Sequence, residues 1–275
     1  MIKRTIILPV LILIMFMNSG CSDNGVQPSQ VPVEYDLKVL FIGNSYLGYF
    51  NVPVTVRNMA AASGKNIYVQ SAIKYGHSLY QLINDSWIIS NLESQDWNYV
   101  VFQDGGHTIA YQDSLKIIMP WIDYHPLYDT IDTLSQKIRE NYSSTIPVYM
   151  MAWGYKDGLT WVSGRSDTFE DMSLRIYDNT IEFADSLDLT IAPAGWAWYK
   201  VWQEKPEIEL FDADMHHAAI GGAYLTSCVI HNVIFQDSLD HIDLFDEIHP
   251  DVEKYLQGAA NRVVFENPEI WRLKK

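Results

Sequence analysis

The stretch VLFIGNSYLGYF, residues 39–50, reads as a buried strand that breaks into Gly43, Asn44 and Ser45. A serine in that place has two uses. It can cap or shape the turn that follows, or it can present its hydroxyl to a cleft, because ligands of open α/β sheets bind beyond the carboxyl ends of the strands. Two other positions share the placement: Gly76 in KYGHSL follows a second apolar run, and Gln103 ends WNYVVFQ. A glycine N–H and a side-chain amide are donors of the kind that hold a developing oxyanion. Two commoner motifs are excluded. The elbow G-x-S-x-G fails because position 47 is leucine. A phosphate loop fails because Gly64-Lys65 is followed by Asn66 and lacks the upstream glycine.

Such residues need a scaffold, and the hydrophobic pattern supplies one. Apolar runs at 37–42, 67–72, 99–103, 147–153 and 189–194 read as buried strands. Helical patterns lie between them at 54–63, 78–92, 127–142 and 168–187, and two more follow at 218–235 and 250–264. Alternation of this kind predicts a three-layer α/β/α architecture, a five-stranded parallel sheet covered on both faces. A helix starting near Pro53 adds the partial positive charge of its first turn if the intervening loop folds back. No internal repeat and no second composition regime appear, so residues 36–275 read as one domain.

The amino terminus is set apart from that domain. Lys3 and Arg4 precede an apolar run at 5–17, and Asn18-Ser19-Gly20 leads into Cys21. This is the pattern of an export signal over 1–20, too short for a comfortable membrane span. Residues 21–35, rich in Pro, Gly, Ser and Asn, read as a flexible tether. With 275 residues and 48% hydrophobic composition the chain can bury a sizeable core. Its formal charge of −15, without long Lys/Arg runs, excludes an electrostatic footprint for nucleic acid. Cys228, in the apolar AYLTSCVIHNVIF, reads as a core thiol.

In four blocks the chain resembles the SGNH hydrolase superfamily, also called the GDSL esterase and lipase family: IGNS around Ser45, Gly76, Gln103, and DADMHHAAIGGAYL with its Asp-x-x-His. The likeness covers most of the chain after the tether and is nearest to a bacterial branch whose first block reads G-N-S. Asn44 and Gln103 stand where the superfamily more often has Asp and Asn. The resemblance implies a serine esterase with Ser45 as nucleophile, His217 as base and Asp214 as its carboxylate. It implies an oxyanion hole of Ser45 N–H, Gly76 N–H and the Gln103 amide, with no metal and no cofactor required. The ending at Cys21 resembles a lipobox, which implies a lipidated cysteine, a membrane anchor and display on an exported face.

Asp-x-x-His occurs twice, as Asp214 with His217 and as Asp246 with His249, and proline follows the second. The first is preferred, because HAAIGGAYL brings Gly222 and Tyr-Leu at the family's spacing and follows the fifth strand closely. The expected substrate is a small-molecule or glycan ester, an acyl group on a carbohydrate. The rival reading is a lipid-anchored glycan-binding protein that keeps the fold without catalysis. His107 is expected at the surface and His77 near a helix start. Trp196 and Trp198 in GWAWYKVW are open between core packing and a sugar platform.

Overall fold

Strand β1, Leu37–Gly43, explains the architecture through its side chains. Val39 and Phe41 point into one core, Leu40 and Ile42 into another, and all four are fully buried. A strand with no polar face must be covered on both sides. A computed structural model describes residues 34–111, 126–160, 166–240 and 242–274, and residues 35–275 cluster as one compact unit. The signal at 1–20, Cys21 and nearly all of the tether lie outside the described residues. No helix of the described residues is long and apolar enough to cross a membrane.

The sheet has five parallel strands in the order β2-β1-β3-β4-β5, with β2 at Ile67–Ile73, β3 at Tyr99–Phe102, β4 at Ile146–Met150 and β5 at Thr190–Ala192. The chain reverses its direction of sheet growth between β1 and β3, and the loops there diverge to open a crevice. Along the chain, the first helices are α1 (Ser45–Gly48), α2 (Val52–Ala62), α3 (Leu79–Ile83), α4 (Ser86–Glu93) and α5 (Gly106–Tyr111). They are followed by α6 (Leu127–Asn141), α7 (Phe169–Leu187), α8 (Ala194–Glu204), α9 (Ile220–Phe235) and α10 (Pro250–Phe265). Residues of α1, α2, α8, α9 and α10, with Phe169 at the start of α7, fill the core under Val39 and Phe41, whereas those of α3 to α6 and the rest of α7 fill the core under Leu40 and Ile42.

The three-layer α/β/α fold expected from the pattern is the observed one, with differences in local boundaries. The helix expected over 78–92 is two helices, because the Asp85 side chain accepts from Trp87 N–H at 3.0 Å and Ile88 N–H at 3.3 Å and so starts α4 afresh. Strand β5 ends before Pro193, which has no N–H to donate, and α8 begins at Ala194. Helix α9 is buried around nearly its whole circumference. Cys228 sits in it with no exposed surface, and burial pushes its thiol well up, as a core thiol should behave.

Candidate active site

At the carboxyl end of β1, Ser45 opens α1 and Asn44 caps it, the Asn44 Oδ1 accepting from Tyr46 N–H at 3.1 Å. The same oxygen accepts from Gln103 Nε2 at 2.7 Å, and Asn44 Nδ2 donates to His77 O at 3.0 Å. Asn44 therefore ties the loops after β1, β2 and β3 together. A carboxylate at this position would have no proton for the His77 carbonyl. Gly43 is bare for a related reason: a Cβ there would lie 2.8 Å from Gln103 Nε2 and 2.9 Å from Leu47 Cδ1.

The loop between α8 and α9 carries the other partners. Phe211 and Ala218 form an isolated antiparallel bridge, and the chain between them turns through Met215 at φ +67°. Asp214 Oδ1 accepts from His216 N–H at 3.0 Å and His217 N–H at 2.9 Å, which closes the turn around the carboxylate. His217 Nδ1–H then donates to Asp214 Oδ2 at 2.6 Å, leaving Nε2 to accept from Ser45 Oγ–H at 2.7 Å. Burial opposes the charge on Asp214, but the His217 N–H, the His217 ring and the His216 N–H outweigh it and hold the carboxyl down to about 2. A carboxylate ionised so firmly selects the tautomer in which His217 Nε2 is bare and basic.

Aromatic contacts fix the loop and the ring. Trp153 Nε1–H donates to His216 O at 2.9 Å, and the Trp153 ring lies flat on Trp198 with centroids 4.0 Å apart. Tyr49 stacks on the His217 imidazole at 4.1 Å with 2° between the planes. The Ser45 and Gly76 N–H groups have no acceptor among the described residues, and Gly76 holds φ +71°, a conformation that favours glycine.

These groups line a cleft of about 520 Å³ whose walls include Tyr75, Tyr80, Asp104, His107, Tyr155 and His216. Asp104 is almost wholly buried, and burial pushes its carboxyl up to about 6 against the Gly105 and Leu79 N–H groups. The ligating atoms of Asp214, His216 and His217 lie within 4.8 Å of one another, the one such group among the described residues. Yet the 2.6 Å approach of Asp214 to His217 is that of a charge-assisted hydrogen bond, and the other His217 nitrogen is committed to Ser45.

Of the residues singled out in the sequence, Ser45, Gly76, Asp214 and His217 come together at this cleft or on its rim. Gln103 does not reach it. Its side chain is fully buried, held by the bond from Nε2–H to Asn44 Oδ1, and it is not among the residues that line the cleft. Asp246 and His249 lie elsewhere. His249 is exposed, caps α10 by accepting from Asp251 N–H at 3.2 Å, and borders a separate groove. His107 differs from its expected surface setting: it is half-buried in the cleft wall, its Nδ1 2.8 Å from Tyr155 Oη. Trp198 is core, whereas Trp196 packs on Tyr177 beside a different depression. Tyr49, Asp104 and Tyr155 carried no sequence signal, although Asp104 is the neighbour of a residue already singled out.

No protein-family model matches the chain, and no curated protein sequence matches it significantly. Solved structures do match. A DUF4886 family protein from Bacteroides uniformis aligns with a TM-score of 0.67 at 18% identity, over 84% of this chain and 96% of that one. A candidate SGNH hydrolase from Slackia heliotrinireducens gives 0.56 at 19% identity, over 71% and 97%. An acetylxylan esterase from Geobacillus stearothermophilus gives 0.54 at 15% identity, over 73% and 94%. The parallel sheet with helices on both sides is the fold of SGNH and GDSL-like hydrolases.

Proposed function

We propose that the protein is a serine esterase that hydrolyses an acyl group borne by a carbohydrate. The observation that carries the reading is the unbroken hydrogen-bond chain from Ser45 Oγ through His217 to Asp214 at the carboxyl edge of the sheet. The Ser45 hydroxyl attacks the ester carbonyl while His217 Nε2 takes its proton, and Asp214 stabilises the imidazolium that results. Charge developing on the carbonyl oxygen is met by the Ser45 and Gly76 N–H groups. Collapse expels the alcohol, to which His217 returns the proton, and leaves an acyl group on Ser45. Water, deprotonated by the same histidine, then attacks the acyl-enzyme and releases the acid. Gln103 serves by holding Asn44, and through it the backbone on either side of the nucleophile. The acyl-carbohydrate class rests on the fold's likeness to an acetylxylan esterase and on the tyrosines that rim the cleft.

The test is turnover of a chromogenic acetate ester by the chain lacking residues 1–21. Ser45→Ala and His217→Ala are expected to abolish it and His249→Ala to retain most of it. If His249→Ala abolishes turnover and His217→Ala leaves it intact at equal folding, the base is misassigned. The reading extends to location: Cys21 carries the lipid that holds the exported domain to a membrane, with 21–35 as its tether.

A further inference from the structure

The cleft has a polar wall that the reaction does not use. Asp104 follows β3 and Gln103, and its Oδ1 accepts from Gly105 N–H at 2.7 Å. His107 stands in the first turn of α5, and Tyr155 arrives from the loop after β4. Their contact, His107 Nδ1 to Tyr155 Oη at 2.8 Å, fixes the ring, and His107 Nε2 has no partner among the described residues. The ring is confined from a second side, since a Cβ on Gly105 would lie 2.8 Å from His107 Cε1. Tyr155 is in turn anchored to the loop that carries His217: its ring meets His216 edge to face at 5.6 Å, and Lys156 N–H donates to Met215 O at 2.8 Å. Burial and the neighbouring His216 push His107 down to about 4, so at neutral pH it offers the cleft a neutral nitrogen.

The same cleft is also lined by tyrosines, Tyr49, Tyr75 and Tyr80. Tyr75 is 56% exposed and lies 6.1 Å from Tyr49, centroid to centroid. The cleft thus offers both aromatic rings and fixed polar atoms. A sugar ring has that duality, with C–H faces that rest on aromatics and hydroxyl edges that need partners. An alkyl chain in the same place would cover His107 Nε2 and the edge of Asp104 without offering either a hydrogen-bond partner, which disfavours it.

We propose that Asp104 and His107 form a recognition subsite for the hydroxyl groups of a polyol, the alcohol half of the ester, beside Ser45. Tyr155 is the positioning residue that fixes the His107 ring. This rests on the esterase reading and adds the residues that choose the substrate.

The experiment compares kcat/KM for an acetylated methyl glycoside with kcat/KM for 4-nitrophenyl acetate, in the wild-type chain and in Asp104→Asn and His107→Phe. The ratio of the two constants is expected to fall at least about tenfold in each variant, since a site built to bond hydroxyls loses discrimination when a partner is removed. An unchanged ratio in folded variants overturns the subsite and leaves the esterase reading standing. Absence of turnover of both esters by the wild-type chain sinks the esterase reading and the subsite with it. A second measurement needs no variant: the deacetylated methyl glycoside should inhibit nitrophenyl acetate turnover competitively, and its fully O-methylated form should not. Equal inhibition by both would show that hydroxyls are not what the wall reads.

Discussion

Replacing Tyr49 by alanine removes the face on which the His217 imidazole rests, and the cost should appear in one kinetic constant. The rings are parallel within 2° at 4.1 Å, inside the range in which a cation is attracted by an aromatic quadrupole. His217 is a cation only after it has taken the Ser45 proton, so the attraction belongs to the transition state and not to the bound ester. The site is half-buried, between exposed and desolvated cases, which sets the interaction at about 1–2 kcal/mol. At 1.36 kcal/mol per decade, kcat should fall about fivefold to thirtyfold with KM little changed. Tyr49→Phe keeps the aromatic face and should stay within about twofold of wild type, whereas Tyr49→Leu fills much of the space without it and should resemble alanine. Steady-state hydrolysis of a chromogenic acetate, with thermal unfolding to establish equal folding, reads all three. Leucine at full activity, or phenylalanine as poor as alanine, would refute a role for the ring's electrons.

Other substitutions probe separate parts of the site. Burial pushes Asp104 from 3.8 up to about 6, so the folded state holds this proton more tightly than the unfolded chain, and the fold loses stability as pH rises through that interval. The unfolding free-energy difference between Asp104→Asn and wild type, read by denaturant titration, should therefore grow in the variant's favour from pH 4 to 7, by up to about 3 kcal/mol, and a flat difference would contradict the buried charge. Gln103→Ala should cost about 1–3 kcal/mol in denaturant unfolding through its lost bond to Asn44. Turnover should fall by less than the roughly hundredfold of a direct oxyanion donor, and a larger loss would return the amide to the hole. Cys21→Ser should move the full-length protein from the membrane fraction to the soluble one, and unchanged retention would point to an uncleaved signal segment as the anchor.

The parts legible in the sequence were those whose information is local. Each strand showed as an apolar run because both of its faces are buried, and Asp214 and His217 showed as a pair because one tight turn supplies both. The break between α3 and α4 was written in Asn84-Asp85-Ser86, a capping signal that a long helical pattern hid. What could not be read depends on meetings between distant segments. Gln103 looked like a donor to the cleft, but its fully buried amide donates to Asn44, 59 residues away. His107 looked like a surface residue because Tyr155, 48 positions later, is what draws it into the wall.

The bare Cα of Gly43 limits how this chain can change. A methyl group there collides with Gln103 Nε2 and Leu47 Cδ1, so Gly43→Ala in the present background should be harmful by overpacking. Shortening the amide in Gln103→Asn withdraws the nearest of those atoms and also slackens the hold on Asn44. The two changes are therefore coupled: Gly43→Ala should cost less beside Gln103→Asn than in the present background, although the contact with Leu47 Cδ1 remains. Drift at these positions has to pass through a weakened intermediate, and the order in which the two substitutions arise decides which weakness is met first.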